Sequence, residues 1–238
     1  TDSGVEIRIL KKLFTPEQAE MTMHLTPMPE PVSTIAERAG MDEGEAAELL
    51  ETMAKEGNIM RLRIEDQPYY MAVSFIVGIY EFHLKAMDRE FAKMMEEYNP
   101  HIAKLMSNVE TRQIRVVPVE SAIENAQGVE TYDRVRDLVK EHELFATADC
   151  ICRREQEVLD NRCDRPMENC LTFGVGAQWY IDNDLGREIS REECLKILDE
   201  AEENALVLSP SNAQAFVNIC CCCGCCCNFL KGLGTYER

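Results

Sequence analysis

Seven of the eight residues from Cys220 to Cys227 are cysteines, and the exception is Gly224. Neighbouring side chains point in different directions, so such a run cannot pack a single core. Thiolate sulfur is, however, a strong ligand for zinc and for iron. A second, more widely spaced set lies upstream at Cys150, Cys152, Cys163 and Cys170, with enough chain between its members to fold round an inorganic centre. These four are expected to act as one ligand set and the tract to supply another. Cys194 belongs to neither group. It falls on the apolar side of a candidate helix with Leu195, Ile197 and Leu198 and reads as a small core residue.

The metal can be argued from spacing. Structural zinc uses paired Cys-x-x-Cys knuckles or Cys/His pairs. Cys220 to Cys223 and Cys222 to Cys225 have the spacing of one knuckle, but a clean pair is missing. A cubane iron–sulfur cluster takes one thiolate per iron and tolerates irregular spacing. Arg153, Arg154, Arg162 and Arg165 crowd the upstream set and would offset the charge of thiolate-ligated iron. Zinc thiolates are anionic too, so iron–sulfur is the leading reading and zinc the alternative. Gly174 and Gly176 are expected to bring backbone N–H groups near sulfur; without a third glycine they make no nucleotide loop.

Composition limits these readings. The 238 residues, 45% of them hydrophobic, suffice for one large core or two modest ones, and disulfides are not needed at this size. No basic start leads into an apolar run, and no stretch approaches the roughly 20 apolar residues that span a bilayer. The expected location is cytoplasmic, with no membrane association. Clustered cysteines there bind metal or do redox chemistry, and a secreted disulfide framework is the alternative. With 25 Lys and Arg against 43 Asp and Glu, the net charge of −18 opposes a general affinity for phosphate backbones and favours docking on protein.

The elements that must position the thiols follow from periodicity and caps. Val5 to Leu13 and Pro16 to His24 read as helices, the second capped by Thr15. Val32, Ile35, Ala36 and Ala39 form one apolar stripe and Ala46, Leu49, Leu50 and Met53 another, separated by a turn at Gly40-Met41-Asp42. With a hairpin over Ile59 to Ile64 and Tyr69 to Val73, residues 1–73 have the pattern of a winged helix. The helix that would enter a groove carries six carboxylates, Asp42, Glu43, Glu45, Glu48, Glu51 and Glu56, against Lys55. DNA binding is therefore not expected, and only Arg61 and Arg63 on the hairpin look suited to phosphate. Protein docking or homodimerisation fits better. Residues 74–110 are expected to connect the modules, with one long helix from Ser74 to Tyr98, a core His83, and a short helix after Pro100.

Residues 111–238 read as the cysteine module. A strand is expected at Arg112 to Val119, a helix at Glu130 to His142 and a strand at Leu144 to Ala148 leading to Cys150. Extended chain would put Cys150 and Cys152 on one side. Arg153 to Leu159 and Glu192 to Asn204 read as helices, the latter opened by the capping box at Ser190. Leu206 to Leu208 and Ala215 to Ile219 read as paired strands, so both cysteine groups would meet at one end of a small sheet. The alternative for the tract is a flexible tail helped by Gly232 and Gly234.

The motifs Cys150-Ile-Cys152-Arg153, Cys163-Asp-Arg-Pro166, Cys170-Leu-Thr-Phe-Gly174 and Ile219-Cys220-x-Cys222-Cys223-x-Cys225-Cys226-Cys227 resemble the 4Fe-4S ferredoxin-type iron–sulfur proteins of anaerobic bacteria and archaea. Longer relatives place a two-cluster ferredoxin module after this region; the 238 residues hold no Cys-x-x-Cys-x-x-Cys-x-x-x-Cys-Pro run, and Cys221 stands where a polar residue is expected. The resemblance implies an α+β, mainly helical protein with one or two 4Fe-4S clusters. Their ligands would be Cys150, Cys152, Cys163, Cys170, Cys220, Cys222, Cys223, Cys225, Cys226 and Cys227. It also implies electron transfer between a carrier and a partner oxidoreductase. A cluster-bearing winged-helix regulator and a zinc or metal-handling protein are the alternatives.

Overall fold

The structure is a computed structural model that describes residues 1–110, 114–117, 135–213 and 216–233. Helices take up 51% and strands 18% of it, in two antiparallel sheets, so the class is α+β. The chain divides into two compact units, Thr1–Tyr98 and Asn99–Arg238.

In the first unit, helices Val5–Leu13 and Pro16–Thr22 precede the short strand β1 (Glu30–Pro31) and the helix pair Val32–Ala39 and Glu43–Glu56. Asp42 caps the second helix of the pair by accepting from Gly44 N and Glu45 N, and Gly57 ends it at φ 88°. Strands β2 (Met60–Ile64) and β3 (Gln67–Met71) form the expected hairpin, and β1 pairs with the outer side of β3. Val5, Ile9, Ile35, Leu50, Met53 and Ile59 are buried at the centre of this unit.

Two expectations fail here. Arg61 is not offered to phosphate: it is only 5% exposed, and its guanidinium holds Glu51, which also accepts from Tyr70 Oη. Nor is Ser74 to Tyr98 one helix. Ile76, Val77 and Gly78 leave helical geometry, and Met87 is extended. Asp88 then starts a new helix, Arg89–Ser107, by accepting from Phe91 N at 2.7 Å. β-branched residues beside glycine favour the break, and aspartate favours the restart. That helix runs through Pro100 rather than stopping before it. His83 is buried and bonds Ile79 O through Nδ1, as a core histidine should.

The second unit is built on a five-stranded antiparallel sheet. Its strands are β4 (Phe145–Asp149), β5 (Glu168–Phe173), β6 (Arg187–Ile189), β7 (Val207–Pro210) and β8 (Asn218–Cys222), in the spatial order β6-β4-β5-β8-β7. One face carries Phe145, Leu171, Phe173, Leu208, Ile219 and Cys221 and packs against helices Val135–Lys140 and Arg191–Glu203. Ser190 caps the latter helix as expected, and Cys194 is fully buried in this core, its thiol pushed up to about 12 by burial. Ile114 and Val117 bridge to Ser211 and Leu208. Other parts of the strand expected at Arg112 to Val119, the start of the helix expected at Glu130, and Ala215 and Gly234 lie outside the described residues.

Candidate metal centre

Strand β8 carries the tract into the middle of the sheet, so its first cysteines are strand residues and not a tail. Cys220 lies opposite Cys170 on one side and Ser209 on the other, while Cys222 lies opposite Val207. Side chains alternate along a strand. Cys221 therefore joins Ile219 in the core of one face, and Cys220 and Cys222 share the other face with Cys170. Beyond the strand the chain turns, with Cys227 N bonded to Cys223 O at 3.1 Å, and enters helix Asn228–Leu233. Gly232 in that helix lies so close to Ala103 that an added Cβ would stand 2.8 Å from the alanine Cβ.

The turn gathers one group of thiols. The sulfurs of Cys163, Cys223, Cys225 and Cys226 all lie within 4.8 Å of one another. Cys163 Sγ is 3.9 Å from Cys223 Sγ and 3.5 Å from Cys226 Sγ. Cys223 and Cys226 are buried, Cys163 is half-buried and Cys225 is exposed, so the group has one side open to solvent. Burial works against a charge on Cys163, but the Arg165 backbone N–H and the Cys225, Cys226 and Cys223 thiols hold it down to about 6. Cys226 is pushed up to about 12 by burial. Within the group, Cys163 therefore gives up its proton more readily than Cys226. A soft cation would replace the shared protons.

The chain reaches this point by a route that departs from expectation. After β4, helix Ile151–Val158 starts directly, with Cys150 at its cap position and Cys152 inside it. The two thiols are thus not neighbours on extended chain. Cys163 follows in the loop and turns to the tract. The upstream set Cys150, Cys152, Cys163 and Cys170 is therefore not gathered on itself: Cys163 meets tract residues, and Cys170 sits within β5. Phe173 N bonds Val217 O and Gly174 N bonds Leu144 O, so these N–H groups serve the sheet rather than sulfur. Gly176 is needed for another reason, since a Cβ there would stand 2.8 Å from Val217 O.

Arg153 is the residue that sequence reasoning undervalued. It is completely buried. Nη1 donates to Asn169 Oδ1 at 2.6 Å and Nη2 to Cys221 O at 3.0 Å, both neutral acceptors, while Nε has no hydrogen-bond partner. An uncompensated buried cation costs several kcal/mol (~). The groups that face it electrostatically are the thiols of Cys150, Cys223 and Cys163, and they hold its pKa up against the effect of burial. A guanidinium so placed favours thiolates over thiols. Arg154, by contrast, lies nearer the surface and pairs with Glu157.

No protein-family model, no curated protein and no solved structure matches this chain.

Proposed function

We propose that the second unit binds metal through thiolates, that the metal is iron, and that the protein passes electrons between a carrier and a partner oxidoreductase. The observation that carries the metal reading is the convergence of Cys163, Cys223, Cys225 and Cys226 within 4.8 Å, with a fully buried arginine facing two of them. These four residues would hold the ion, and Arg153 would offset the charge of its thiolates. Iron in such a setting supplies one-electron chemistry. The exposed edge at Cys225 is where a partner would approach for electron exchange. The resemblance noted in the cysteine motifs supports iron–sulfur over other iron.

One observation favours a second reading for this group. A tetrahedral ion about 2.3 Å from each thiolate places the sulfurs about 3.8 Å apart, close to the 3.5 and 3.9 Å contacts here. A cubane spreads four thiolates over four irons and would require the turn to open. The second reading is a single zinc or iron ion.

The first unit suits a docking role. Its helix pair, followed by a hairpin, supports a winged-helix-like module, and Asp42, Glu43, Glu45, Glu48 and Glu56 are exposed on it. With Arg61 turned inward, phosphate attraction is weak, so a protein surface or a second copy is the expected partner and duplex DNA is not. Among the described residues no helix is long and apolar enough to cross a membrane. Anaerobic purification followed by iron, zinc and sulfide analysis tests the proposal. Iron with equimolar sulfide supports a cluster, iron or zinc without sulfide supports the single ion, and no bound metal overturns both.

A further inference from the structure

On a chain whose net charge is −18, helix Val5–Leu13 and the start of helix Arg89–Ser107 line an open groove with four cations, Arg8, Lys11, Lys12 and Lys93. Arg8 is held by Glu97 at 2.6 Å, and Lys12 by Asp88 and Glu90. Lys11 and Lys93 are exposed, and among the described residues neither forms an ion pair. Ile7 and Leu10 stand beside these cations on helix Val5–Leu13, 50% and 44% exposed, so the same face also offers apolar surface to water.

The first unit carries the complement as well. Helix Glu43–Glu56 exposes Glu45 and Glu48 one turn apart, with Asp42 and Glu43 beside them. Among the described residues neither Glu45 nor Glu48 forms an ion pair. Half-buried Leu49 directly follows Glu48. We infer that the acidic face of helix Glu43–Glu56 docks in the groove between helices Val5–Leu13 and Arg89–Ser107 of a second copy of this chain, making the protein a homodimer.

A two-fold dimer makes this contact twice, because each copy offers one groove and one acidic face. In each contact Lys11 and Lys93 meet Glu45 and Glu48, four groups that have no charged partner within the single chain. Repulsion between the two net negative charges is screened beyond about 8 Å at physiological salt. The facing pairs therefore set the register, and the like-charged remainder of the surface disfavours other ones. The groove suits a helix face better than a small free phosphate. Glu90 and Glu97 stand among its cations and repel a compact polyanion, whereas a helix holds its carboxylates at two fixed points and offers Leu49 to the exposed Ile7 and Leu10.

This inference rests on the docking role proposed for the first unit and names its partner. Sedimentation velocity of the full chain, purified without oxygen and kept in reductant so that no intermolecular disulfide forms, tests it. The unaltered protein is expected to dimerise as its concentration rises. Lys11→Glu with Lys93→Glu makes the groove acidic, and Glu45→Lys with Glu48→Lys makes the helix face basic. Each double variant alone sets like charges against each other and should raise the dimer dissociation constant at least about tenfold. An equimolar mixture of the two restores opposite charges in both contacts and should dimerise as the unaltered protein does, which also reports that both variants are folded. A dimer that survives in both variants, or one lost in both and not restored by mixing, would overturn the pairing. An unaltered chain that stays monomeric would overturn the second copy as partner, and uptake of pyrophosphate by that monomer, lost with Lys11→Glu and Lys93→Glu, would assign the groove to a small anion instead. Binding of duplex DNA to the unaltered chain would overturn the docking role itself, an outcome separate from the absence of a dimer.

Discussion

The Arg153 guanidinium donates to the backbone carbonyl of Cys221 at 3.0 Å, fixing a buried positive charge beside the strand that carries the tract. Helix Ile151–Val158 and strand β8 are thereby locked at the point where the thiols of both chain regions meet.

Arg153→Met retains most of the side-chain volume and removes the charge. Thiolates left without that charge should hold metal about tenfold more weakly or worse, measured by competition with a chelator. Arg154→Met, which removes only the surface pair with Glu157, should leave affinity unchanged. Equal losses in both variants would show that general charge, and not the buried guanidinium, matters.

Cys194→Ala should leave metal content intact and cost about 1 kcal/mol of stability by emptying a small volume between helix Arg191–Glu203 and the sheet. Its thiol is held protonated by burial. Loss of metal in this variant would place a ligand where the account has only core.

Gly176→Ala tests the seat of β8. Alanine normally helps a helix, but here its Cβ would stand 2.8 Å from Val217 O, a backbone atom that cannot move without moving the strand. The expected result is a loss of about 1–3 kcal/mol in denaturant unfolding, with weaker metal retention. A stabilised variant would mean that the strand yields easily.

His83 gives a pH dependence in the first unit. Burial lowers its pKa, so the unfolded chain binds its proton more readily than the folded one. Its contribution is present above the unfolded value of about 6.5 and is lost as pH falls below it. His83→Leu should therefore show a shallower fall in stability between about pH 7.5 and 5.5 than the unaltered protein. Identical slopes would mean that His83 is not kept neutral.

Much of the scaffold was legible because its signals are local. Thr15 and Ser190 cap helices where their spacing said they would, Gly57 stops one, and the hairpin follows from two short runs round a polar turn. Asp88 was an equally local signal, hidden within a stripe of apolar residues that reads as one continuous helix. The grouping of the thiols was not legible. It depends on the register of β8 against β5 and β7, which decides the face for each cysteine, and on the turn that brings Cys223, Cys225 and Cys226 to Cys163. Nothing in the spacing of Cys163 says that it answers to Cys223 and Cys226. Arg153 read as one of four arginines crowding the upstream cysteines, and only the packing of its helix on the sheet sets it apart by burying it. The sheet also changes what deletion can test: removing the tract after Asn218 would take out most of β8, which lies between β5 and β7, and would report on folding as much as on metal.

The central claim is that cysteine thiolates of this unit hold iron. Iron-edge X-ray absorption on protein purified without oxygen measures this directly, because it reads the atoms bound to the metal. The account predicts iron coordinated by sulfur alone, with the sulfur signal diminished in the Cys163→Ser, Cys226→Ser protein. Iron bound by oxygen or nitrogen, or protein that carries no iron and takes up none when supplied with it, would contradict the account.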